Sequence, residues 1–144
     1  MRRFRFKLEK FLEFRALHER RAELLLAERA GRCVLLEARL LEIASARARS
    51  SREMFRAGRG LEDYRAAELY IRRLDIERDK LVIELAAAEI AREEARQDYV
   101  EKRRSREAID KLKERRREDY YKLAEREEIK ALDDIARRAV GLRE

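Results

Sequence analysis

Apolar and polar residues alternate along this chain with a helical period rather than the two-residue period of a strand. In the first third, apolar or small side chains recur at steps of three and four: Ala22, Leu26, Cys33, Leu36, Leu40 and Ile43, with Arg29 breaking the row. Further on the row reads Tyr64, Ala67, Ile71, Leu74, Leu81, Leu85, Ala88, Ala95, Tyr99 and Ile109. Arg78, Arg92, Lys102 and Arg106 fill other slots of the same seam. Such spacing keeps one stripe on one helix face and matches a heptad seam, here an interrupted one. Between the two rows lies the only clustered helix breaker, "RAGRGLED" at residues 56–63, with Gly58 and Gly60.

Two seams joined by a glycine turn predict an all-α fold, a long antiparallel two-helix coiled-coil hairpin. Helix 1 is expected over about 3–56, the turn over about 57–61 and helix 2 over about 62–140, forming a single coiled-coil domain across residues 1–144. Parallel helices from two chains would bury the same stripes, so self-association as a homodimer stays open. If the turn centres near residue 59, residue 4 falls beside residue 114, and the C-terminal helix extends beyond the N-terminal one from about residue 115. That extension still carries Tyr120, Tyr121, Leu123, Ile129, Leu132, Ile135, Ala139 and Leu142. A lone helix gains little from propensity in water, so an apolar face without cover either frays or belongs against another protein.

Composition sharpens the helical reading. Of 144 residues 48% are charged, Pro is absent and there are four Gly, a balance typical of long helices and coiled coils. Disorder, the rival explanation of high charge, fits poorly with a 45% hydrophobic fraction that is periodic. No apolar run reaches the ~18 residues of a membrane span. Glu9, Lys10, Glu13 and Arg15 interrupt what would be the apolar core of a secretory signal, and Glu9 and Glu13 also argue against a mitochondrial transit peptide. A single cysteine, Cys33, cannot form an internal disulfide, which fits a reducing compartment.

Charge is unevenly placed. Residues 1–16 hold 6 basic and 2 acidic residues, and residues 102–117, their expected neighbours, hold 9 and 3. Residues 118–144 hold 6 basic and 8 acidic residues, so a basic band gives way to an acidic-leaning extension. The opening "MRRFRFKLEKFLEF" sets aromatics among those charges, one half of a basic, aromatic-bearing end. Such a band could meet nucleic acid, anionic lipid or an acidic protein surface. In "KLKERRREDYYKLAEREE" the signs mix at helical spacing, which suits pairing on a solvated face better than a nucleic-acid arm. Glu9 and Glu13 work against anionic lipid. A protein partner fits best.

Catalytic chemistry is not legible. The lone His18 falls in line with Phe4, Phe11 and Leu25 at seven-residue spacing and reads as a seam or flank position. Cys33 reads as a small buried apolar side chain without a neighbouring base. Histidine and cysteine are too few for a zinc cluster, and Gly58 and Gly60 lack the strand and Lys of a phosphate loop. Acidic doublets such as Glu93–Glu94, Glu127–Glu128 and Asp133–Asp134 point different ways around a helix. The expectation is a non-enzymatic protein without cofactors.

The ends also carry a likeness. "FRFKLEKFLEFR" (residues 4–15) and "AIDKLKERRREDYYKLAEREEIKALDDIARR" (residues 108–138) resemble the termini of the bacterial flagellar export protein FliJ family; the middle resembles it in heptad pattern and turn position. One departure is Ile129–Lys130, where many members carry Gln and Lys before an acid. The resemblance implies a coiled-coil stalk of the type III export apparatus, similar to the central stalk of rotary ATPases. Such a stalk is cytoplasmic and peripheral to the inner membrane at the flagellar base. Its implied partners are the hexameric flagellar export ATPase, the cytoplasmic domain of the export gate membrane protein, and substrate chaperones. On the ATPase side it points to Phe4, Phe6, Leu8, Leu12, Arg15, Arg115, Arg116, Tyr120, Leu132 and Ile135; on the gate side, soon after the turn, to Tyr70 and Leu74. The equivalent stalk of a virulence-type injectisome, a nucleic-acid-associated coiled coil and a scaffold dimer remain alternatives.

Overall fold

A computed structural model of the protein describes residues 3–141, with side chains to residue 138; Arg2, the Ala139 side chain and Leu142 lie outside it. The described residues form two helices, α1 (Glu9–Met54) and α2 (Leu61–Gly141). With no proline to remove a backbone donor, each runs unbroken.

Helix α1 starts at Glu9 rather than near residue 3. Arg3, Arg5 and Lys7 would sit at the positive end of the helix dipole, whereas Glu9 complements it. The amide of Glu9 bonds the Phe6 carbonyl at 3.3 Å, and the first helical bond from this end runs from Leu12 to Leu8 at 2.9 Å. At the far end of α1, Arg56 N–H donates to the Glu53 carbonyl at 3.2 Å as the helix closes. Gly58 then takes φ +92°, a left-handed backbone that strains any residue with a Cβ. Gly60 caps α2: its carbonyl accepts from Tyr64 N–H, and its own N–H donates to Asp63 Oδ2 at 3.3 Å, one half of a capping box. Glu62 and Asp63 place negative charge in the first turn of α2, again complementing the dipole.

Two compact units divide the chain. The first comprises residues 20–100, the turn and the helical stretches on either side of it. Its helices run antiparallel, as the cross-links show: Arg32 reaches Glu84, Arg39 reaches Glu77 and Arg47 reaches Asp75, one number rising as the other falls. The predicted seam is its core. Ala22, Cys33, Leu36, Ile43, Leu74 and Ala95 are buried, and Cys33 is 1% exposed. Tyr64 departs from the seam and is exposed, because it stands in the first turn of α2, just after the connecting loop. Among the described residues no side chain larger than Cys33 is fully buried, so the seam of this unit is narrow.

The second unit comprises residues 3–19 with 101–141. Glu9 meets Lys113 at 2.6 Å and Glu19 meets Arg106, so the helices again run antiparallel. Phe4 lies on Tyr120, not beside residue 114 as uniform helical pairing would place it. The main reason is register: Glu9 meets Lys113 and Arg47 meets Asp75, so partners lie about four residues further along α2 than a turn centred at residue 59 predicts. The non-helical stretch before Glu9 supplies the rest, since residues out of the helix can advance by more than the ~1.5 Å of a helical one. The uncovered part of α2 therefore begins after Tyr120, and from there to residue 138 only Ala124 is even half-buried.

Candidate functional site

The unit of residues 3–19 and 101–141 holds the densest cluster of aromatic and basic side chains. Its first component is the ring contact made by the non-helical N-terminal segment. Phe4 packs on Tyr120 with ring centroids 5.6 Å apart, and Tyr120 meets Tyr121 edge-on at 5.7 Å. The Arg117 guanidinium lies 5.9 Å from the Tyr121 ring centroid, within cation–π range. One side of each outer ring is left open: Tyr121 is exposed, Phe4 half-buried.

A second row follows on α1. Phe11 and Phe14, three apart, stack at 6.5 Å; Phe14 meets His18, four further on, edge-to-face at 4.3 Å; Arg15 lies over Phe11 at 4.9 Å. These are neighbours on one helix face. Phe11 and Phe14 stay exposed despite their size. Arg15 Nε is buried without a hydrogen-bond partner among the described residues, so the guanidinium rests on the ring face with one donor unmet. A buried N–H without a partner is costly, and an incoming acceptor would relieve it.

Ionic contacts hold this end together. The Arg106 guanidinium, on the α2 seam, donates to Glu19 across the pair and to Asp110 one turn on. The Glu19 carboxylate, with Asp110 in a smaller part, raises the affinity of Arg106 for its proton against the opposing effect of burial. Sequence reasoning expected a charge in this seam slot; the structure supplies the two anions that make it tolerable.

The residues singled out from the sequence divide by exposure. Leu12 is buried in the seam, and Leu74 is buried in the other unit, so each serves packing in this structure. Phe4, Phe6, Arg15 and Tyr120 are half-buried; Leu8, Arg115 and Arg116 are exposed on the basic band. Leu132 and Ile135 stand 65% and 64% exposed on the uncovered stretch of α2. Tyr70, next to the gate-side expectation Leu74 by one helical turn, presents its ring to solvent. His18 is half-buried on the flank of α1, edge-on to Phe14. Phe11, Phe14, Arg117 and Tyr121 also belong to this cluster, although the sequence did not single them out. Phe11 and Phe14 could have been found by their i,i+3 spacing off the seam, and Tyr121 by its place beside Tyr120.

Among the described residues no group of His, Cys, Asp and Glu is arranged to hold a metal ion, and no helix is long and apolar enough to cross a membrane. What the site offers is a surface: aromatic rings with open faces, arginines beside them, and a helix whose apolar side chains have no cover. No curated protein and no solved structure matches the chain. The family described as Flagellar FliJ protein matches residues 4–144, a span that takes in both helices, the turn and the aromatic, basic end. The chain therefore belongs to the FliJ family of flagellar export proteins.

Proposed function

We propose that the protein is a non-enzymatic stalk of the flagellar export apparatus, cytoplasmic and peripheral to the membrane at the flagellar base. It binds the hexameric export ATPase through its two termini, promotes ring assembly and activity, and links the ring to the export gate and to substrate chaperones. One observation carries this reading. The non-helical segment of residues 3–8 and the uncovered stretch after Tyr120 belong to the same unit, which gathers rings, arginines and bare apolar side chains and supports the reading of an insertion tip. Burial of Leu132, Ile135 and Tyr121 in a ring would supply the apolar cover the free chain lacks. The basic band would complement an acidic ring lumen. Tyr70 is the side chain of the gate-side pair still free to make a contact.

The test pairs the protein with the export ATPase of the same organism. Hydrolysis rate and hexamer population are measured with the full chain, with residues 3–8 deleted, and with the chain ended at Tyr120. Stimulation by the full chain, lost in both truncations, is the expected result. An intact, helical chain that leaves the ATPase unchanged would overturn the proposal, and salt-sensitive binding to duplex DNA would then favour a nucleic-acid role.

A further inference from the structure

Helix α1 carries a second heptad seam, on the side away from α2. Leu24, Ala27, Gly31, Val34, Ala38 and Leu41 follow steps of three, four, three, four and three without a break. Each lies two positions from a residue of the first seam, about 200° round the helix, so it cannot face α2 as well. All six are exposed, Val34 at 62% and Leu41 at 70%. The first seam is interrupted by Arg29; this outward one has no polar residue across its span. A stripe of that length and period is complementary to another helix, whose side chains would fit as knobs into its holes.

The stripe is also shaped. Ala27, Gly31, Val34 and Leu35, bordered by Glu28, Arg29 and the Glu84-paired Arg32, line a shallow groove on the helix surface, and a Cβ built on Gly31 would meet nothing within 4 Å. Glycine inside a helix is destabilising relative to alanine. Here it leaves room for a neighbouring backbone to come close.

Flanking charges decide what that neighbour is. The positions bordering the stripe hold Glu23 and Glu37 on one side and Glu28 and Glu42 on the other. Glu42 is engaged by Arg39, itself shared with Glu77; Glu23, Glu28 and Glu37 have no ion-pair partner among the described residues. A second copy of this face would bring glutamate against glutamate whether the helices ran parallel or antiparallel, because both edges are acidic. A helix with lysine or arginine at its flanks would instead pair on both edges. We infer that the outward face of α1 between Leu24 and Leu41 is a docking site for one amphipathic helix of a partner protein, apolar on its seam and basic on both flanks. This site does not depend on the proposed stalk role of the termini.

The experiment uses the full chain and two fluorescent helical peptides with identical apolar seams, one flanked by lysine and arginine, the other by glutamate. Fluorescence anisotropy should show the basic peptide binding at least about tenfold more tightly, with the gap shrinking at high salt. V34K/L41K should abolish that binding while leaving helix content and Tm unchanged, since both side chains are exposed. Replacing Glu23, Glu28, Glu37 and Glu42 by lysine should reverse the preference. Equal binding of both peptides, no binding of either, or binding untouched by V34K/L41K would overturn the inference. So would sedimentation showing that the chain pairs with itself through this face, measured as a dimer lost in V34K/L41K.

Discussion

The two units use the same antiparallel pairing but wire it with opposite polarity. In residues 20–100, α1 supplies the cations and α2 the anions: Arg32, Arg39 and Arg47 reach Glu84, Glu77 and Asp75. In residues 3–19 and 101–141, α1 supplies the anions and α2 the cations, with Glu9 to Lys113 and Glu19 to Arg106. Individually such surface pairs contribute modestly. Collectively the inversion specifies register. Sliding the helices far enough to bring the lysine and arginine of one unit beside the arginines of the other would set like charge against like. Within each unit this polarity favours the antiparallel pairing observed over larger slips that set like charges together.

The comparison breaks most visibly at the seam. Leu36→Ala in the turn-side unit should cost about 2–4 kcal/mol, read by urea unfolding followed by circular dichroism, because Leu36 is buried and its cavity cannot readily close. Leu132→Ala, on the uncovered stretch, should stay within about 0.5 kcal/mol. Equal losses at the two positions would mean that Leu132 is buried in solution, and therefore that the free chain self-associates.

Next in size is the seam charge of the other unit. Removing Glu19 leaves the part-buried Arg106 with Asp110 alone, so Glu19→Ala should cost about 1–2 kcal/mol. A double-mutant cycle with Arg106→Met isolates the pair. Its coupling should exceed that of a cycle between Arg39 and Glu77, whose side chains are largely solvated. A larger coupling for the exposed pair would show that the turn-side ladder, not the Arg106 site, fixes register.

Most of this fold was legible because its driving forces are local and periodic. The heptad rows predicted both helices, and Cys33, Leu36, Ile43, Leu74 and Ala95 are buried on the seam they marked. The glycine cluster predicted the turn, and Gly58 does adopt the left-handed backbone. What escaped was arithmetic along the axis. Heptads say which face is buried, not where pairing starts: Glu9 meets Lys113, about four residues beyond the expected register, and the non-helical residues before Glu9 carry Phe4 the rest of the way to Tyr120. The basic, aromatic end was visible as composition. The contacts within it, Phe4 on Tyr120 and Arg15 on Phe11, depend on that register and on rotamers, which periodicity does not carry.

Two glycines offer a smaller contrast. Gly58→Ala forces a Cβ into the left-handed region and should cost about 1–2 kcal/mol in thermal unfolding. Gly31→Ala, in an open helical position, should instead stabilise by roughly 0.5–1 kcal/mol. The same chemical change with opposite sign separates a glycine the backbone requires from one whose use lies outside the folded chain.

The smallest expected effect is in acid. Arg96 donates to the Glu93 carboxylate and Arg103 to that of Glu107, and each hydrogen bond holds its carboxylate below the ordinary value of 4.5. A depressed folded pKa means that the unfolded chain takes up the proton first. The stabilisation is therefore complete above the ordinary carboxylate range and is lost as pH falls through the lowered folded values. Melting temperature should thus be flat near neutrality and decline below about pH 4.5, and E93Q/E107Q should reduce the steepness of that decline. Both pairs lie within α2 and are solvated, so the double variant should leave the register unchanged: register depends on links between helices, and these two are links within one. If E93Q/E107Q altered cross-helix contacts, measured by the distance between spin labels at positions 37 and 79, the separation of local from long-range charge would fail.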